Sequence, residues 1–188
     1  MKNLFLTILA VFTLTGCITI GKDFKVRGES SFILGKTTKK EITVMYGEPK
    51  FEEPFGDKGI TLSTYLYVRK GLVKGQSLYF DDGILVGYDT TSTFPEINTY
   101  FDHTQSKKIE IHKTNKSEVW SMIGRPSGKH IFPMAPTITT HNETYSYDKV
   151  TPGRVLYTHN IIDLYLVVTY NSDNVVVNVE EKYKIVNN

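Results

Sequence analysis

Few side chains in this sequence are spaced to do chemistry. The five histidines, His103, His112, His130, His141 and His159, include no pair at the i, i+4 spacing that sets two imidazoles on one helical face, and none joins a Cys/His cluster. Scattered surface or strand positions are expected for them, and no metal site. Cys17 is the single cysteine, which leaves neither a disulfide nor a Cys-based zinc site. No Gly-x-Ser-x-Gly nucleophile turn occurs. Asp81 and Asp82 pair two carboxylates, but Gly83 follows them, and Asp-Gly between apolar runs is a hairpin turn rather than an acid/base site. Gly35-Lys36-Thr37-Thr38 ends as phosphate loops end, yet it lacks the first glycine at the required spacing and a preceding parallel strand. These absences predict no enzyme and no cofactor.

The elements that would position any site are organised around a stretch that occurs twice. Residues 36–49 (KTTKKEITVMYGEP) return as residues 113–126 (KTNKSEVWSMIGRP), and both 113 − 36 and 126 − 49 give 77. Seven of the fourteen positions are identical, where a chance register matches about one. Thr38 and Asn115 each stand three residues before a glutamate, Glu41 and Glu118, the signature of a helix N-cap with its capping box. Ile42, Met45 and Tyr46, then Val119, Met122 and Ile123, fall at i, i+3, i+4 and form one apolar stripe. Gly47 and Gly124 are predicted at the left-handed position that stops each helix, with Pro49 and Pro126 preventing its resumption. Helices of about two turns are marginal alone, so each must lie on apolar strands.

The rest of the chain supplies strand patterns. Residues 50–59 read as a polar loop, residues 60–70 as a strand, residues 71–75 as a turn, and residues 76–80 and 84–88 as a hairpin around Asp82-Gly83. Residues 144–147 answer residues 64–67, and residues 164–170 and 175–179 answer the hairpin around a turn at residues 172–174. The expected fold class is α+β: two tandem repeats, each a short helix packed on a three-stranded antiparallel sheet. The repeats span residues 32–92 and 109–188, joined by a linker at 93–108 in which Tyr100 and Phe101 pack between the copies.

Charge is balanced, with 22 Lys plus Arg against 20 Asp plus Glu, and the basic residues are scattered, so no nucleic-acid partner is expected. Residues 1–16 read as an export signal: Lys2, then an apolar run over residues 4–14 that is too short to span a bilayer. The run ends in Leu14-Thr15-Gly16-Cys17, which is similar to the lipobox of bacterial lipoproteins. That likeness implies lipid attachment at Cys17, a tether over residues 17–31, and, since Ile18 rather than Asp follows, sorting to the periplasmic face of the outer membrane.

Binding is the remaining class of function. The twelve tyrosines could furnish a recognition face, or could fill the space beneath the helices, which the repeated positions of Tyr65, Tyr67, Tyr145 and Tyr147 favour. Phe132-Pro133-Met134-Ala135-Pro136 is an apolar loop outside the shared pattern, and Phe132 and Met134 are the candidate partner contacts.

The lipobox, the capped helix ending in Gly-x-Pro, the Tyr-rich strand and the Asp-Gly hairpin together resemble the SmpA/OmlA (BamE-like) family of outer-membrane lipoproteins. The resemblance implies an envelope accessory that binds other proteins, such as those of the barrel-assembly machinery. Two copies in one chain look more like the β-lactamase-inhibitor-protein architecture, and imply the alternative of an inhibitor or immunity-type protein acting on an envelope hydrolase.

Overall fold

Thr38 and Asn115 do start helices, and the reason is local. The structure, a computed structural model, describes residues 19–28, 30–97, 101–148 and 161–186. Among these the chain runs β1 (Thr19–Ile20), α1 (Lys39–Tyr46), β2 (Phe51–Phe55), β3 (Ile60–Arg69), β4 (Leu72–Asp81), β5 (Ile84–Ser92), α2 (His103–Ser106), α3 (Lys116–Ile123), β6 (Gly128–His130), β7 (His141–Asp148), β8 (Ile161–Tyr170) and β9 (Val176–Val186). At α1 the Glu41 amide donates to Thr38 Oγ1 at 3.3 Å while the Thr38 amide donates to the Glu41 carboxylate at 2.7 Å. At α3 the same exchange joins Asn115 and Glu118 at 3.1 and 2.8 Å. Gly47 and Gly124 close the helices at φ 80°, ψ −162° and φ 95°, ψ −169°. The positive φ was expected, but ψ is extended rather than left-handed helical, a region that only glycine occupies without strain.

Both helices are stitched to a hairpin by backbone bonds in matching places. Lys39 N donates to Gly83 O and Leu85 N to Thr37 O, each at 2.8 Å; Lys116 N donates to Asn174 O at 2.9 Å and Val176 N to Thr114 O at 3.0 Å. From Gly83 to Asn174 and from Leu85 to Val176 the spacing is 91 in both cases. Asp82 and Gly83, both at positive φ, make the two-residue turn between β4 and β5.

The expected pair of helix-plus-three-strand repeats is not what forms. All nine strands belong to one antiparallel sheet in the order β1-β3-β4-β5-β6-β7-β8-β9, with β2 also on β3, and only three short helices accompany it among the described residues. Two features produce this result. Residues 51–55, read as a loop because of Pro54 and Gly56, pair with β3, Pro54 being tolerated because β2 is an edge. The three residues of β6 pair with β5 on one side and β7 on the other and so close the gap between the halves. The turn placed at 71–75 is also shorter: β4 begins at Leu72 and runs through Gly75.

The helices share one face of the sheet. Ile42 of α1 packs with Tyr65, Leu78, Phe80 and Leu85, and Val119 and Ile123 of α3 pack with Tyr145, Leu166, Val168 and Tyr170. Each fully buried side chain of this kind contributes about 1.5–3 kcal/mol. Tyr65, Tyr67 and Tyr145 are buried, and burial pushes the Tyr65 hydroxyl up to about 12; the side chain of Tyr147 lies outside the described residues. Phe101 is buried in the α3 cluster, and Tyr100 lies outside the described residues.

Residues at the start of the described chain also lie on the sheet. β1 pairs with Arg69 and Val68 of β3, and Lys74 Nζ donates to Phe24 O at 2.6 Å and pairs with Asp23, its ammonium 5.1–5.4 Å from the rings of Phe24, Tyr67 and Phe94.

Candidate functional site

Strand alternation gives the sheet a second face, opposite α1 and α3. Ile60, Leu62, Tyr79 and Val86 point there, and the only described segment laid over them is the start of the loop after β6, through Ile131 and Met134. Phe51 and Phe55 pair with Thr64 and Ile60, so they project to this open face. They are 53% and 42% exposed, and the Phe55 ring meets Tyr79 edge-on at 5.0 Å.

Under this face, where the halves join, lies a polar network. His130 of β6 pairs with Asp89 of β5 at 2.9 Å, Thr144 of β7 donates a short bond to the same carboxylate, and Tyr165 of β8 donates to it at 3.3 Å. Burial opposes the charged form of Asp89, but His130, Thr144 and Tyr79 together outweigh it and hold the carboxyl below its ordinary 3.8. Burial pushes the Tyr79 and Tyr165 hydroxyls well up, so both stay protonated donors. The network ties four strands together, β5 to β8, and each member makes at least one bond within it. It contains no activated nucleophile, and among the described residues no group of three or more His, Cys, Asp or Glu side chains could hold a metal ion. Its role is to fix the seam of the open face.

The residues singled out from the sequence divide. Phe132 is 47% exposed, whereas Met134, two residues on, packs against the cluster of Ile60, Tyr79 and Val86. Lys58 Nζ holds the loop through Pro133 O at 2.8 Å. Asp82 stays in the turn and Asp81 ends β4. Cys17 and His159 lie outside the described residues. Phe51 and Phe55 escaped notice because their stretch carries Pro54 and reads as a loop. Glu53 stands where alternation would need an apolar residue, so the stretch Phe-Glu-Glu-Pro-Phe carries no period-2 signal that would have exposed them. His130 and Asp89 are 41 residues apart, and no motif links them.

No protein-family model and no curated protein matches the chain, so the resemblance to the SmpA/OmlA family finds no support there. A solved structure of a Streptococcus mutans protein, provisionally described as a beta-lactamase inhibitor protein, is similar at a TM-score of 0.43 and 12% identity, over 85% of this chain and 90% of that one. A likeness so distant carries no argument about binding.

Proposed function

We propose that this chain is a non-enzymatic recognition protein that caps another folded protein with the open face of its sheet, as an inhibitor or immunity-type protein of an envelope hydrolase would. The observation that carries this reading is the pair Phe51 and Phe55, exposed on a face that no described helix covers, with Phe132 exposed on the loop beside it. Each aromatic ring brings 150–250 Å² of contact area on approximately two rotatable bonds, the kind of anchor that dominates protein interfaces. Strand addition at an edge is the less favourable mode: β2 carries Glu52, Glu53 and Pro54, and β9 carries Glu180, Glu181, Lys182 and Lys184.

A lipid on Cys17, holding the protein at the periplasmic face of the outer membrane, belongs to the same reading and rests on the leader and lipobox alone. An accessory role in barrel assembly rests on the family resemblance alone. Crosslinking in intact cells followed by purification separates the two. A single stoichiometric hydrolase is expected, recovered at least about tenfold less with Phe51→Ser/Phe55→Ser. Recovery of barrel-assembly proteins, unchanged in that variant, overturns the reading. Cys17→Ala is expected to release the protein from membranes; retention in a detergent-free membrane fraction removes the anchor.

A further inference from the structure

The helix face carries a feature that the open-face reading does not use. The cross-strand row Tyr88 of β5, Lys129 of β6 and Glu143 of β7 forms the floor of a cleft of about 170 Å³, walled by Trp120, Arg125 and Pro126 of α3 and its exit. β6, at the middle of the floor, is three residues long, and no described helix lies above it. Glu143, 1% exposed, is fully engaged: Lys116 Nζ at 2.7 Å, Trp120 Nε1–H at 2.8 Å and the Tyr145 hydroxyl at 3.1 Å all donate to its carboxylate. These bonds fix the indole and cancel one charge pair. Arg125 lies over the Trp120 ring at 3.8 Å, and among the described residues its guanidinium meets no carboxylate and makes no hydrogen bond. The lining therefore keeps the charge of Arg125 beside the indole and Pro126.

We infer that this cleft binds the carboxylate of an acidic side chain on a partner protein. A guanidinium laid on an aromatic ring keeps its in-plane N–H fork free, and that fork matches a carboxylate in two parallel bonds. The Trp120 and Pro126 walls and the Tyr88 ring in the floor suit the methylene stem of a glutamate better than a fully hydrated phosphate, and the volume admits one side chain. The equivalent positions at α1 do not repeat the pair, since 77 residues earlier Thr43 stands for Trp120 and Glu48 for Arg125. The site lies on the opposite face from Phe51 and Phe55, so its existence is independent of the proposed function.

Trp120 is the single tryptophan, so its emission reads the cleft directly. The whole protein at low salt is titrated with a short peptide containing glutamate and blocked at both ends, with its glutamine counterpart, and with inorganic phosphate. The expected result is a saturable emission change with the glutamate peptide alone, weakened by added salt. Arg125→Gln is expected to raise Kd by about tenfold with an unchanged melting temperature, and Arg125→Lys to fall between. A response to phosphate but not to the peptide, an equal response to the glutamine peptide, no saturable response, or an unchanged response in Arg125→Gln overturns the inference.

Discussion

The places where α1 and α3 meet the sheet share a backbone and differ in what lies under it. Both helices open on a reciprocal cap, stop on a glycine at positive φ, and are laced to the following hairpin through equivalent amides and carbonyls. Beneath α1 the contacts are mainly aromatic: Tyr46 lies 4.9 Å from Tyr65, donates to Gln76 at 2.7 Å and carries the Arg27 guanidinium 5.8 Å from its ring centre, while the ion pair of that helix, Lys39 with Glu52, is pushed out to the exposed edge strand. Beneath α3 the equivalent lysine, Lys116, turns inward to the buried Glu143. The comparison teaches that the backbone lacing fixes where a helix sits. What the junction recognises is then free to diverge.

The sharpest way to break the comparison is to remove one carboxylate at each junction. Glu143→Gln leaves the Lys116 charge buried with no counter-charge, and urea unfolding is expected to lose about 3–5 kcal/mol. Glu52→Gln, at a solvent-screened pair, is expected to change stability by less than about 1 kcal/mol. Equal losses would mean that the two ion pairs are equivalent after all.

Asp89 sits on the seam between the two regions. Its carboxyl is held below the ordinary 3.8, so the stability it supplies is present above that value and lost as pH falls through the lower folded value. Asp89→Asn is expected to cost about 2–3 kcal/mol at neutral pH and to flatten the acid limb of a stability-against-pH curve. An unchanged acid limb would remove Asp89 from the account of the seam.

Thr38→Ala and Asn115→Ala test the shared part. Each is expected to cost about 1 kcal/mol in thermal or urea unfolding, by the same amount within error. A clear inequality would show that the caps are not equivalent. The smallest change is Tyr46→Phe, which deletes one part-buried hydroxyl bond to Gln76 and is expected to cost under about 1 kcal/mol.

These same residues show what could be read from sequence. Caps, glycine stops and the Asp-Gly turn are local chemistry, set by residues within four positions of one another, and they were legible for that reason. The joining of the strands into one sheet was not, because it depends on Gly128-Lys129-His130, three residues with no alternation, finding β5 some forty positions away. The same distance hid the His130–Asp89 pair. Pro54 and Gly56 disguised β2, and with it Phe51 and Phe55. Phe132 and Met134 stood out as an apolar loop, but only coordinates could separate the exposed ring from the packed thioether.

The central claim is that the partner of the proposed function is gripped by the face away from the helices, whatever the cleft beside α3 takes, and site-specific photo-crosslinking compares the open face with α1 directly. A photoreactive residue is placed at Phe55 on the open face and, in a second protein, at Val44 on α1, which is 82% exposed on the other side. The expected result is one discrete crosslinked partner from position 55 and none from position 44; the partner trapped from position 44, with position 55 silent, would contradict it.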